Sequence, residues 1–130
     1  MGAASPPRLR LGRARRLRHS RDFARLRREG QRLAHGCLAA NWQRQAAGAP
    51  THLGVITSGK LGNAVVRNRA RRLLREAFRR HQHGLAGPVD LILVARQSIV
   101  GRGFPEVERD FLATMRRAGL LKSAALAAAG

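Results

Sequence analysis

Seven arginines (Arg67, Arg69, Arg71, Arg72, Arg75, Arg79 and Arg80) crowd the stretch KLGNAVVRNRARRLLREAFRR, and one asparagine, Asn68, stands between two of them. A guanidinium offers a planar fork of donors that matches phosphate, and it can stack on a base. Like charges at helical spacing repel by roughly a few tenths of a kcal/mol per pair, so such a stretch is expected to meet a polyanion. Asn68 adds a neutral amide that can reach a base edge or a ribose hydroxyl while its neighbours neutralise phosphates. The plainer reading is a solvated surface face, but mixed charge is usual there and only Glu76 supplies an acid.

The whole chain leans the same way. Its 130 residues carry 26 Lys+Arg against 7 Asp+Glu, a formal charge of +19, and only Lys60 and Lys122 are lysines. That imbalance favours a nucleic-acid partner, because phosphate neutralisation supplies much of the affinity. The length suits one domain with a tail at each end. Cys37 is the only cysteine, which excludes an internal disulfide and a cysteine-rich metal site. His19, His35, His52, His81 and His83 are scattered; the last two suit a charge interaction at a helix end better than a metal. A protein nuclease would need clustered carboxylates or a histidine pair, and the dispersed acids offer no such site. With no secretory signal and no apolar run of about 20 residues, an intracellular, cytoplasmic protein without a membrane partner is expected.

The elements that must position the arginines follow from periodicity. Residues 1–13, rich in Pro, Gly and Arg, read as a flexible basic arm. HSRDFARLRREG reads as a first helix capped by Ser20 and stopped at Gly30, with Phe23 and Leu26 as a thin apolar stripe. Residues 33–43 read as a weakly extended run. HLGVITS (52–58) is a firmer strand with Leu53, Val55 and Thr57 on one face. The arginine helix spans about 63–82, VDLILVAR (89–96) is a strand for the middle of a sheet, and 104–119 forms a last helix with Val107, Phe111 and Met115 spaced by four. Residues 14–119 are thus expected to form one α+β RNA-binding domain of order α-β-β-β-α-β-α, followed by a flexible Ala-rich tail at 120–130.

On a wheel turning about 100° per residue from Arg67, the residues Val66, Ala70, Leu73, Leu74 and Ala77 fall within roughly 240° to 340°, the core face. Arg67, Arg71, Arg75, Asn68, Arg79 and Arg72 occupy roughly 0° to 140° on the same wheel. Upstream, Gly59-Lys60-Leu61-Gly62 follows a strand and Asn63 is a plausible N-cap. Free amides there can hold a phosphate, and a tight turn made by two glycines is an equally open reading.

The block GVITSGKLGNAVVRNRARRLLREAFR resembles the signature of the bacterial ribonuclease P protein subunit, whose helix carries an R-N-R motif after a G-N-A-V start. RLRHSRDFARLRREG resembles that family's first helix and DLILVAR its strand after the arginine helix, so the resemblance spans about 15–118. It implies a mixed sheet with a rare left-handed βαβ crossover, against the right-handed rule. It implies a protein bound one to one to a large catalytic RNA that removes the 5′ leader from precursor tRNA, using Mg²⁺ held mainly by the RNA. Lys60, Asn63, Arg67, Asn68, Arg69, Arg71, Arg72, Arg75 and Arg79 would then meet RNA. Phe23, Arg27, Asn41 and Trp42 would lie at a leader-binding cleft. Three departures bear on this: Gly59 stands where a second lysine is common, and Arg27 and Asn41 replace family aromatics. Phe23 itself reads equally as a core residue or as a platform for a leader base. The rival class is a ribosomal-type structural protein using the same basic helix, and only the R-N-R block separates the two.

Overall fold

The computed structural model describes residues 20–122, with Ser20 as backbone alone; the expected arm at 1–13 and most of the expected tail lie outside the described residues. Helix α1 (Ser20–Glu29) leads into strands β1 (Gln31–His35) and β2 (Leu38–Arg44). Strand β3 (His52–Ile56), helix α2 (Ala64–His81), strand β4 (Val89–Ala95) and helix α3 (Phe104–Arg117) follow. The sheet order is β1-β2-β4-β3, antiparallel except for the β3/β4 pair, so the fold is α+β with a mixed sheet. Helix α2 is the crossover between the two parallel strands, the unit to which the implied left-handed turn refers.

Each element has a local cause. β4 is an almost unbroken apolar run because it is paired on both edges and buried along nearly its whole length. Asn63 caps α2: its Oδ1 accepts from the Val66 N–H at 3.1 Å. Pro105 suits the first turn of α3, Glu106 accepts from the Gly103 N–H at 3.2 Å, and Gly119 ends the helix at φ 73°. Ser20, expected as a cap, is instead the first residue of α1.

The run at 33–43, read as one weakly extended segment, folds as a tight hairpin. Gly36 has φ 61° at the first of the two turn positions, which only glycine adopts freely. A Cβ at this position would also overlap the Asp110 carboxylate. That carboxylate accepts from the Cys37 N–H at 3.0 Å and so ties the hairpin tip to α3. Burial, with the neighbouring Asp110 charge, pushes the Cys37 thiol up to about 12 and keeps it inert.

The sheet has two unlike faces. One carries Leu38, Ala40, Trp42, Leu53, Leu91 and Leu93 and packs against Ala70, Leu74, Ala77 and Phe78 of α2 and Val107, Phe111 and Met115 of α3. The other carries Ile92, on which Leu26 of α1 sits, with Phe23, Ile56 and Val94 packed around them. The expected core face of α2 holds, with Val66 and Leu73 partly buried at its margins. Phe78 is an addition: at about 20° on the same wheel it falls inside the basic arc, yet it is buried. The packed chain also runs past Gly119, since Leu120 and Leu121 are buried and Leu121 bridges to Leu85.

Candidate nucleic-acid interface

The outer face of α2 sorts its cations by what they touch. The side chains of Arg67, Arg69 and Arg72, with that of Lys60 in the 3-10 turn Gly59–Leu61, make no hydrogen bond or ion pair among the described residues. Arg71 is held: one nitrogen donates to Asn68 Oδ1 at 2.8 Å and another to Thr57 Oγ1 at 2.7 Å. Asn68 therefore has a structural task that spacing alone did not reveal, which is to fix its neighbour's guanidinium against the end of β3. Arg79 and Arg80 are both drawn to Glu76, at 2.6 and 2.7 Å. Those two arginines hold the Glu76 carboxyl down to about 2. Arg79, expected among the phosphate ligands, is paired with Glu76 within the helix. Arg75 also has a partner within the fold.

The entry turn lies against this face, since a Cβ at Gly59 would lie 3.7 Å from Arg67 Nη1. As an amide cradle the turn is half spent. Leu61 N–H donates to Ser58 and Gly62 N–H to Gly59, and the Asn63 side chain is occupied by the cap.

Across the sheet, α1 stands over an open cleft of about 250 Å³. Phe23, Ile56, Ile92 and Val94 make its apolar floor, with Arg27, Arg32 and Asn41 around it. Phe23 is half-buried, packed against Leu26 and Ile92, and it also lines the opening. Arg32 was missed from sequence, because it falls between the first helix and the run at 33–43, where β1 already begins at Gln31. Asn41 lines the cleft as a latch: its Nδ2 donates to the carbonyls of Leu26 at 2.9 Å and Gln31 at 2.7 Å. Trp42 is a correction. Strand alternation turns it to the opposite face, where it is buried in the α2/α3 core, away from the cleft under α1.

A second polar group sets α1 on the sheet. Asp90, buried on β4, accepts from Arg25 of α1 at 2.6 Å and pairs with His52 of β3 at 2.8 Å. The hydrogen bond to Asp90 raises the Arg25 pKa further above its ordinary value. Arg25 also donates to Gln43 on β2, so one side chain spans three elements.

The acids are distributed as single partners. Asp22, Glu76, Asp90, Glu106, Glu108 and Asp110 each bind a cation or an amide of the fold, which leaves only Glu29 of the seven without a hydrogen bond or ion pair among the described residues. Among the described residues no three His, Cys, Asp or Glu side chains are grouped to hold a metal ion. His81, the last residue of α2, bonds Glu108 of α3 at 2.9 Å.

Acids mostly taken up as single partners within the fold and cations left over on the outer face of α2 make this a small basic α+β domain of the kind that meets a polyanion. Its sequence then places it among known proteins. Residues 11–119 match the family model for ribonuclease P. The ribonuclease P protein component of Syntrophomonas wolfei is 36% identical over 105 residues, covering 81% of this chain and 87% of the relative. That of Brevibacillus brevis is 32% identical over 114 residues, covering 88% and 90%. The solved RNase P protein of Staphylococcus aureus superposes with TM-score 0.77 at 26% identity, over 85% of this chain and all 100% of that one. The Thermotoga maritima RNase P protein gives TM-score 0.70 at 27% identity, over 78% and 96%. The chain belongs to the ribonuclease P protein family, RNA-binding components of a tRNA-processing ribonucleoprotein. No described helix is long and apolar enough to cross a membrane.

Proposed function

We propose that the chain acts in the cytoplasm as the protein subunit of ribonuclease P, binding the catalytic RNA one to one through α2 and the 5′ leader of precursor tRNA in the cleft under α1. In this way it promotes endonucleolytic removal of the leader and formation of the mature 5′ end. The observation that carries the reading is the division of the surface. Outward cations without acidic partners stand on one side, and an arginine-edged apolar cleft stands on the other.

On α2, Arg67, Arg69, Arg72 and Lys60 neutralise phosphates of the catalytic RNA, and Arg71 is presented already oriented. With the Asn68 carbonyl occupied by Arg71, its NH₂ group is the part left to reach RNA. In the cleft, Phe23 supports a leader base while Arg27 and Arg32 follow the backbone. With a single aromatic there, charge carries a larger share of leader binding than stacking does. The dispersed carboxylates do not fit a divalent-cation site, so Mg²⁺ is assigned to the RNA and the protein's share is electrostatic.

Reconstitution tests this. The isolated protein should cleave nothing, and adding it to the catalytic RNA should restore leader removal at low Mg²⁺. Cleavage by the protein alone after stringent purification would overturn the reading. So would recovery of ribosomal RNA in place of ribonuclease P RNA after high-salt washing.

A further inference from the structure

Val65 and Val100 are the two exposed large apolar side chains among the described residues, 73% and 46% accessible, and both border one hollow. It measures about 230 Å³ and lies between the first turns of α2 and the loop after the 3-10 turn Gln97–Ile99. Ala70 and Ile99 lie among its lining residues, and Arg69 lines its edge. Single apolar residues on a surface are ordinary. Two sharing a concavity beside an arginine are not scattered.

Position says what covers them. On the α2 wheel Val65 falls at about 160°, between Arg72 and Arg69. Val65 precedes Arg69 by one turn, so an RNA strand that runs along Arg72 and Arg69 towards the start of α2 also covers Val65. A second copy of the chain would set +19 against +19 at this spot, and no acid lines the hollow. An unstacked base combines an apolar face with a phosphate one bond system away, and it matches this pairing of valines with arginine.

We propose that the hollow seats one unstacked nucleobase of the bound RNA, its face against Val65 and Val100 and its phosphate on Arg69. This rests on the reading of α2 as RNA-binding. The seat is separate from the leader cleft, which lies on the opposite side of the sheet.

Methyl NMR of the full chain titrated with transcribed ribonuclease P RNA reads the seat without a mutation. Ring currents should move the Val65 and Val100 methyls upfield while buried Val89 stays in place. A Val65→Ser/Val100→Ser variant should bind that RNA about fivefold more weakly, with the salt slope unchanged because no charge is lost. Arg67→Ala serves as the control on the underlying reading, since it should flatten the slope. A flattened slope for Arg67→Ala together with unmoved valine methyls and normal binding by the serine variant would overturn the seat alone. Normal binding by both variants would remove the α2 reading with it. Valine shifts that grow with protein concentration in the absence of RNA would place a second copy there and overturn the proposal.

Discussion

Beneath α2 and α3 the sheet buries a continuous apolar layer, whereas beneath α1 it buries little more than Leu26 and Ile92 and relies on hydrogen bonds. The contrast follows from what each side has to do. Apolar burial is strong and non-directional, so the α2/α3 side supplies stability. Hydrogen bonds are directional. Asn41 on two carbonyls and Asp90 between Arg25 and His52 therefore fix where α1 stands without filling the space beside it. A cleft stays open because its wall is pinned at points rather than packed throughout.

The largest expected effect comes from breaking the packed side. Phe111→Ala should cost about 3–5 kcal/mol in denaturant unfolding, while the protein that remains folded keeps its preference for precursor over mature tRNA. A loss of that preference at full stability would reverse the assignment of the two sides.

Breaking the pinned side should do the converse. Asn41→Ala removes a donor from the Leu26 and Gln31 carbonyls and should cost about 1–3 kcal/mol. Its diagnostic result is weaker precursor binding with mature-tRNA binding unchanged, measured by equilibrium titration. Equal weakening towards both would mean that Asn41 serves global stability alone.

Glu76→Gln sharpens the contrast within α2, because it releases Arg79 and Arg80. The log–log salt slope of RNA binding should steepen by about one unit for each arginine that gains a phosphate. Stability should move the other way. The Glu76 carboxyl is held below its ordinary 4.5 at about 2, so its contribution is complete above 4.5 and is lost as pH falls towards 2. The stability gap between the native chain and Glu76→Gln should therefore be present at neutral pH and close over that window in pH-dependent melting.

The smallest effect belongs to Asn68. Asn68→Ala should leave the melting temperature unchanged and weaken RNA binding only severalfold. Its effect should be non-additive with Arg71→Ala, because the amide acts partly by holding that guanidinium. Strict additivity in the double variant would separate the two roles.

How much of this was legible in the sequence depended on the range of the forces involved. α2, α3 and β4 were readable because helical stripes and a strand-length apolar run are local patterns, with Asn63 marking the start of α2 and Pro105 and Gly119 the two ends of α3. The hairpin at Gly36 was not, because a two-residue turn between weak strands leaves little signal until Asp110, far along the chain, is seen to hold it. Trp42 and Asn41 were placed together in the cleft, yet adjacent strand residues face opposite ways, and only the register assigns them. Arg71 on Thr57 and Arg25 on Asp90 are long-range contacts between ordinary surface residue types, which composition cannot pair. Family resemblance located the cleft, but what holds it open came from the geometry.

The claim that the two sides do separate work is tested most directly by the ratio of precursor to mature tRNA affinity. It is to be measured for holoenzymes assembled at saturating protein from the native chain, Phe23→Leu and Arg67→Ala. Leucine keeps most of the Phe23 packing and removes the stacking surface, which is worth about 1–3 kcal/mol per base. The ratio should fall for Phe23→Leu and hold its native value for Arg67→Ala, whose defect lies in assembly with the catalytic RNA. An unchanged ratio for Phe23→Leu, or a fall of the same size in both variants, would contradict it.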